Sequence, residues 1–202
     1  MPNWITNVVS FDATEEEVNE IKKAVNHPEQ LQHLATGETE EHEQKFNFQV
    51  IKPQPRELDN TVHGGQNYSD DYKPDQKLID KFGFDNWYDW RWHNWGTKWN
   101  AADAYWEENI CVFDTAWATP EAIIIELSKM FPKVEITVQY ADEDIGSNFG
   151  EYNVLNGEVI EEVNYGLQDL FNDPNAQYVA LACKPYVDEL VDFEKGCWKE
   201  DE

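Results

Sequence analysis

The sequence predicts an α+β fold: one antiparallel sheet with helices packed on one face. Three observations predict it. Short apolar segments alternate with polar residues at the period of a strand, two stretches repeat apolar residues at helical spacing directly after a strand, and an Asn-Gly pair separates two further strand-like runs.

Residues 4–11, WITNVVSF, read as the first strand. Thr14 and Glu17 have the spacing of a capping box, and Glu15 and Glu16 suit the positive end of a helix. Val18, Ile21 and Val25 then recur on one helical face, and His27-Pro28 ends the helix. Residues 28–44 are polar and acidic and read as a short helix followed by a solvated loop. Phe46, Phe48 and Val50 alternate as a strand, closed by Pro53 and Pro55. Residues 56–75 read as a loop, and 75–83 as a short helix carrying Leu78, Ile79 and Phe82.

Seven of the nine tryptophans lie between Trp87 and Trp117. Within that stretch Ala102–Trp106 and Asn109–Phe113 read as strands joined at Glu107-Glu108. Thr119 is the expected N-cap of a second helix, with Pro120 at its first position and Ile123, Ile124, Leu127 and Met130 on its buried side. Val134, Ile136 and Val138 alternate as another strand, and Asn156-Gly157 forms the turn of a hairpin. Two strand–helix–strand units on one antiparallel sheet make a split βαβ, or ferredoxin-like, arrangement. The predicted organisation is a ferredoxin-like domain over 1–163, with an insertion at about 52–100, and an acidic C-terminal extension over 164–202 packed on it. In the extension, Tyr178–Ala182 reads as an added strand and Tyr186–Phe193 as a short helix.

Composition bounds the function. Aromatics supply 14% of the 202 residues, enough ring area for a packed core. Forty-one acids oppose fifteen bases, a formal charge of -26. Such a field repels phosphate backbones and anionic membranes and attracts basic surfaces; it also serves plain solubility. No direct nucleic-acid partner, membrane or cofactor is expected. Cys111, Cys183 and Cys197 are scattered, with neither zinc-ligand nor disulfide spacing, and the first residues lack a signal peptide's basic and apolar regions. Both features indicate a reducing cytoplasm.

Several strings, taken in order, resemble one family: MPNWITN at 1–7, FNFQVIKPQPREL at 46–58, NWYDWRWHNWGTKWNA at 86–101, VFDTAWATP at 112–120 and FGEY at 149–152. The chain resembles, over about residues 1–160, the uncharacterised phage and mobile-element proteins with a YubB- or Api92-type ferredoxin-like domain. The specific part comprises Trp87, Trp90, Trp95, Gly96, Lys98, Trp99, Asp114 and Trp117. The resemblance implies the fold and a mobile-element origin, and carries no catalytic residue with it.

The candidate working parts have two readings each. Trp87, Trp90, Trp92, Trp95 and Trp99 either stack sugars, bases or a partner's arginines, or pack the core. Arg91, His93 and Lys98 either bind an anion or pair internally. Glu38, Glu40, Glu41 and Glu43, and Asp142, Glu143 and Asp144, form either a partner-binding surface or solvated loops. The second acidic group misses the calcium-loop spacing, because Gly146 falls one position early. No GxSxG, HExxH or P-loop string occurs, so an enzyme is not expected. The expected function is that of an acidic mobile-element accessory protein. It binds and inhibits a basic host protein, as an anti-CRISPR or other anti-defence nucleic-acid mimic does. The alternative is a binding module that uses the tryptophan segment for a small molecule or nucleic acid.

Overall fold

A computed structural model of the chain describes residues 2–32, 39–62 and 73–199. Strand β1 (Trp4–Asp12) leads into helix α1 (Glu15–Val25), whose Thr14–Glu17 capping box is formed in both directions. Next come a small hairpin, β2 (Glu29–Gln32) and β3 (Thr39–His42), the one-turn helix α2 (Phe48–Ile51), a 3₁₀ turn at Arg56–Leu58, and helices α3 (Gln76–Phe82) and α4 (Trp87–Trp95). Strands β4 (Ala102–Glu107) and β5 (Ile110–Ala116) precede helix α5 (Glu121–Met130) and strand β6 (Glu135–Asp142). The hairpin β7 (Phe149–Leu155) and β8 (Glu158–Tyr165) follows, turned at Asn156 and Gly157, which both adopt positive φ (50° and 82°). Helices α6 (Leu167–Asn172), α7 (Pro174–Cys183) and α8 (Val187–Leu190) and the two-residue strands β9 (Val191–Asp192) and β10 (Cys197–Trp198) complete the chain.

The main sheet is antiparallel throughout, in the order β4-β5-β1-β6-β7-β8. Strand β5 lies between β1 and β4, and β1 lies between β5 and β6, so each βαβ unit is split by a strand of the other. This is the ferredoxin-like arrangement, and the β7–β8 hairpin extends it past β6. Side chains alternate across each strand. Ile5, Val9 and Phe11 of β1, Phe113 of β5, and Ile136 and Val138 of β6 face one core with Ile21 of α1 and Ile123, Ile124 and Leu127 of α5.

The extension builds a second core on the opposite face, where α7 lies against β1, β6 and β7. Ala141 and Phe149 of the sheet pack there with Leu170, Ala176, Val179, Ala180, Cys183, Val187 and Val191. Helices α1 and α5 occupy the face expected from the sequence, and the extension adds helices on the other. Burial raises the thiol pKa of Cys111, and pushes that of Cys183 up to about 12.

Six local expectations are corrected. Residues 28–44 contain paired strands, with Glu29 opposite His42, where a short helix and loop were read. The segment has no apolar stripe for a helix to bury, and pairing satisfies its backbone groups without a core. The strand read at Phe46–Val50 is a turn entering α2. Asn47 caps it by accepting from the Gln49 amide at 2.9 Å, and Phe46 and Phe48 enter one core, Phe46 lying 4.7 Å from the Phe113 ring. Pro120, in place of Thr119, is the N-cap of α5, because the Thr119 hydroxyl bonds the Tyr152 hydroxyl at 3.0 Å. Met130, at the last position of α5, is exposed. The strand read at Tyr178–Ala182 is helical, since Ala176, Val179, Ala180 and Cys183 make one buried helical stripe, and Tyr186–Phe193 divides into α8 and β9.

Candidate docking site at the aromatic end of the sheet

The tryptophan segment folds into two parts with different surroundings. Asn86 starts α4 by accepting from the Asp89 amide at 2.9 Å. Trp90 and Trp95 face inward, and the Trp95 indole N–H donates to the Lys52 carbonyl at 2.9 Å. Arg91 lies over Trp95 at 4.6 Å and Trp87 at 5.2 Å, and donates from Nε to Gln54. His93 packs 5.1 Å from the Phe84 ring. This half of the segment is framework.

Gly96 ends α4 with φ +79°, where a Cβ would meet the Thr119 carbonyl at 3.3 Å. The buried Thr97 hydroxyl then donates to the Ala116 carbonyl at 2.8 Å, tying this turn to the end of β5. That tie sets Trp99 beside Trp117, their rings 6.4 Å apart and 25° from parallel, and Trp4 lies 5.9 Å from Trp99. The Lys98 ammonium sits over Trp99 at 4.6 Å and Trp117 at 4.9 Å, with Tyr88 at 5.9 Å.

Trp117 is the conformational outlier of the group. Its φ is +66°, a left-handed value that bulky side chains rarely adopt and that costs about 1–3 kcal/mol. Both its backbone groups are held: its N–H donates to the Asn3 carbonyl at 3.0 Å, and its carbonyl accepts from Asn148 Nδ2 at 3.3 Å. The residue is 38% exposed, so the strained backbone holds a tryptophan partly in solvent.

Asn148 and Asn3 also join this aromatic surface to the acidic loop after β6. Asp142 is only 6% exposed and accepts from the Asp144 amide at 2.9 Å, Asn3 Nδ2 at 3.2 Å and Asn148 Nδ2 at 3.3 Å. It is therefore a loop-bracing group, which corrects its reading as a surface acid. The Glu143 amide donates to the Trp4 carbonyl at 3.1 Å, and the side chains of Glu143 and Asp144 are exposed. The extension reaches the same place: Lys184 Nζ lies 3.5 Å from the Trp4 carbonyl. The Tyr186 phenol is raised by burial and then by Glu143 and Asp142.

The structure thus gathers Lys98, Trp99 and Trp117, and ties to them, through Trp4, Asn3 and Asn148, the loop that carries Glu143 and Asp144. Trp87, Trp90 and Trp95 lie in the framework, and Asp114 accepts from the Thr6 hydroxyl at 2.6 Å on the sheet face that the extension packs against. The other acidic group does not join the site. Glu38 lies outside the described residues. Glu40 and Glu41 are backbone partners of Leu31 and Gln30 in the small hairpin, and their side chains are also outside them. Glu43 is exposed beside Asn26, His27 and Lys45, a separate neighbourhood. Sequence reasoning missed Trp4, Tyr186, Asn3 and Asn148. Asn3 and Trp4 carry a signal in their place in the family-like string at 1–7; Tyr186 and Asn148 have none.

Residues 94–170 match the family model described as the ferredoxin-like domain in Api92-like protein. That stretch holds the turn after α4, Trp117 and the 142–148 loop. A similar solved structure is the crystal structure of a protein api92 from Yersinia pseudotuberculosis, 19% identical, with a TM-score of 0.45 over 64% of this chain and 43% of that one. This chain thus spans under half the length of that protein. No curated protein matches the chain.

Proposed function

We propose that this chain, which carries the ferredoxin-like domain of Api92-like proteins, is a non-catalytic binding protein that docks a basic segment of another protein at this end of its sheet. One observation carries the reading: Asn148 and Asn3 each bond both the backbone of the exposed Trp117 and the Asp142 carboxylate, which tethers the loop of the exposed acids Glu143 and Asp144 to this aromatic end. An indole face attracts a guanidinium or ammonium group through its quadrupole, and adjacent carboxylates supply the steering charge. Charge supports it further. The chain carries 41 acids against 15 bases, so its acids far outnumber the basic side chains available to pair with them.

In its finer form, the partner is a basic host protein that itself holds nucleic acid, and the chain is a mobile-element accessory protein that blocks it in the cytoplasm. Carboxylates then stand where phosphates would, and association weakens with salt. Tryptophan fluorescence titrated with an arginine-rich peptide at two salt concentrations tests the docking reading. Saturable quenching that weakens at high salt is expected; a flat titration at low salt rejects it. Displacement of guide RNA or DNA from a defence nuclease tests the finer form.

The near-parallel Trp99 and Trp117 rings with Lys98 between them favour a second reading, in which a nucleobase or small ring stacks there. Titration with single-stranded RNA separates the two, since the acidic field opposes that ligand and favours the peptide.

A further inference from the structure

We infer that Lys98 is a resident occupant of the docking site's aromatic seat, a built-in stand-in for the cationic side chain of the partner, and that the partner's arginine or lysine displaces it. The inference rests on the docking function proposed above and names the chemistry it selects, a guanidinium or ammonium on a flexible stem.

Four features support it. The Lys98 ammonium lies over Trp99 and Trp117 at 4.6 and 4.9 Å, within cation–π range of both, with Tyr88 at the outer limit. The rings stand apart from the core and carry an exposed edge at Trp117. Among the described residues, no carboxylate pairs with the Lys98 ammonium and no acceptor takes its hydrogens, although Glu143 and Asp144 serve the same end of the sheet. The contrast with Arg91 is direct. That residue also lies over two indoles, but its Nε is bonded to Gln54 and one guanidinium nitrogen reaches the Lys98 carbonyl at 3.4 Å, so it is fixed. Lys98 is held by ring faces alone, on a stem that can swing into solvent without leaving a buried group unpaired. A guanidinium arriving from outside offers a flat face to the same rings, which a compact ammonium does not.

The exchange predicts an unusual sign: removing a cation from the binding site strengthens binding of a cation. Lys98→Met keeps the stem and deletes the charge. Its affinity for a nona-arginine peptide is expected to rise about fivefold over the natural chain, the worth of one exposed cation–π contact. Lys133→Met, at an exposed position outside the site, controls for the overall change in charge. A rise matched by Lys133→Met, or a fall in Lys98→Met, overturns the inference and leaves the docking function standing. Binding by neither the natural chain nor Lys98→Met overturns both. NMR of the natural chain reads the exchange directly. The Lys98 ε-methylene protons should be shifted upfield by the rings and should move toward solvent values as peptide is added. Shifts of the Trp117 indole without movement of the Lys98 signal reject displacement.

Discussion

Two sets of tryptophans, all but Trp4 drawn from one stretch of sequence, end in opposite circumstances. Trp90, Trp95 and Trp106 pack against the main core, and the indole N–H groups of Trp95 and Trp106 reach backbone carbonyls, those of Lys52 and Lys45. Trp4, Trp99 and Trp117 gather at the end of the sheet, and Trp117 accepts a strained backbone to stand partly in solvent. A buried indole must satisfy its polar hydrogen and fill volume, so its surroundings are specified on every side. A surface indole is specified only by what aims it. The difference teaches that tryptophan density marks this region without saying which ring is mortar and which is contact; the partners of the backbone and of the N–H say it.

The largest effect should come from the first set. Trp95→Ala removes a fully buried ring against which Phe48 and Trp90 pack edge-on, and it should cost about 3–5 kcal/mol. Thermal or urea unfolding measures the loss, and a variant as stable as the natural chain would erase the distinction drawn here. The second set should behave in reverse. Trp117→Gly places the one residue type at ease with positive φ, so stability should hold or rise. Peptide affinity should nevertheless fall by about 2 kcal/mol, near thirtyfold, as for a binding hot spot. Loss of both, or of stability alone, would place Trp117 with the framework.

Much of the framework is legible in the sequence because it is written in local patterns. The capping box at Thr14, the period-2 run through Val138 and the Asn156-Gly157 turn each specify their element from within a few residues. The failures have local causes as well. Phe46, Phe48 and Val50 show strand spacing, yet Asn47 caps a helical turn and Asn100, 52 positions away, accepts from the Phe48 amide. In the extension the helical stripe from Ala176 to Cys183 competes with the strand propensity of Tyr178 and Val179, and the Asp173-Pro174 start and burial of the stripe decide for the helix. The site is less legible than the fold because its joints span the chain. Asn3 meets Asp142, Thr97 meets Ala116, and Lys184 meets the Trp4 carbonyl, and no periodicity or spacing reports such pairs.

The division among tryptophans recurs among the loop acids. Asp142→Ala should cost about 1–2 kcal/mol, because it strands the Asp144 amide and two asparagine side chains, and it should loosen Trp117 through Asn148. Asp144→Asn should leave the melting temperature near the natural value and weaken peptide binding slightly, by less than about 1 kcal/mol, an effect that vanishes at high salt. Equal effects from the two changes would mean that the loop's acids are interchangeable charges, with no brace among them.

The smallest effect tests whether the acidity carries a cost where it is not exposed. The Glu121 carboxyl is raised above its ordinary value, first by partial burial and then by repulsion from Glu162 across the edge of the sheet. The folded chain therefore holds this proton more tightly than the unfolded chain does. The penalty is absent below the unfolded pKa and develops as pH rises through the folded one, so stability falls with rising pH at this position. Glu121→Gln should accordingly melt slightly higher than the natural chain at neutral pH, and the two should converge as the pH falls below the ordinary carboxylate range. Glu162→Gln should narrow the gap from the other side. A glutamine variant that is less stable at neutral pH would mean that Glu121 has a favourable role at the start of α5. It would also mean that its repulsion from Glu162 is offset there by the helix's positive end.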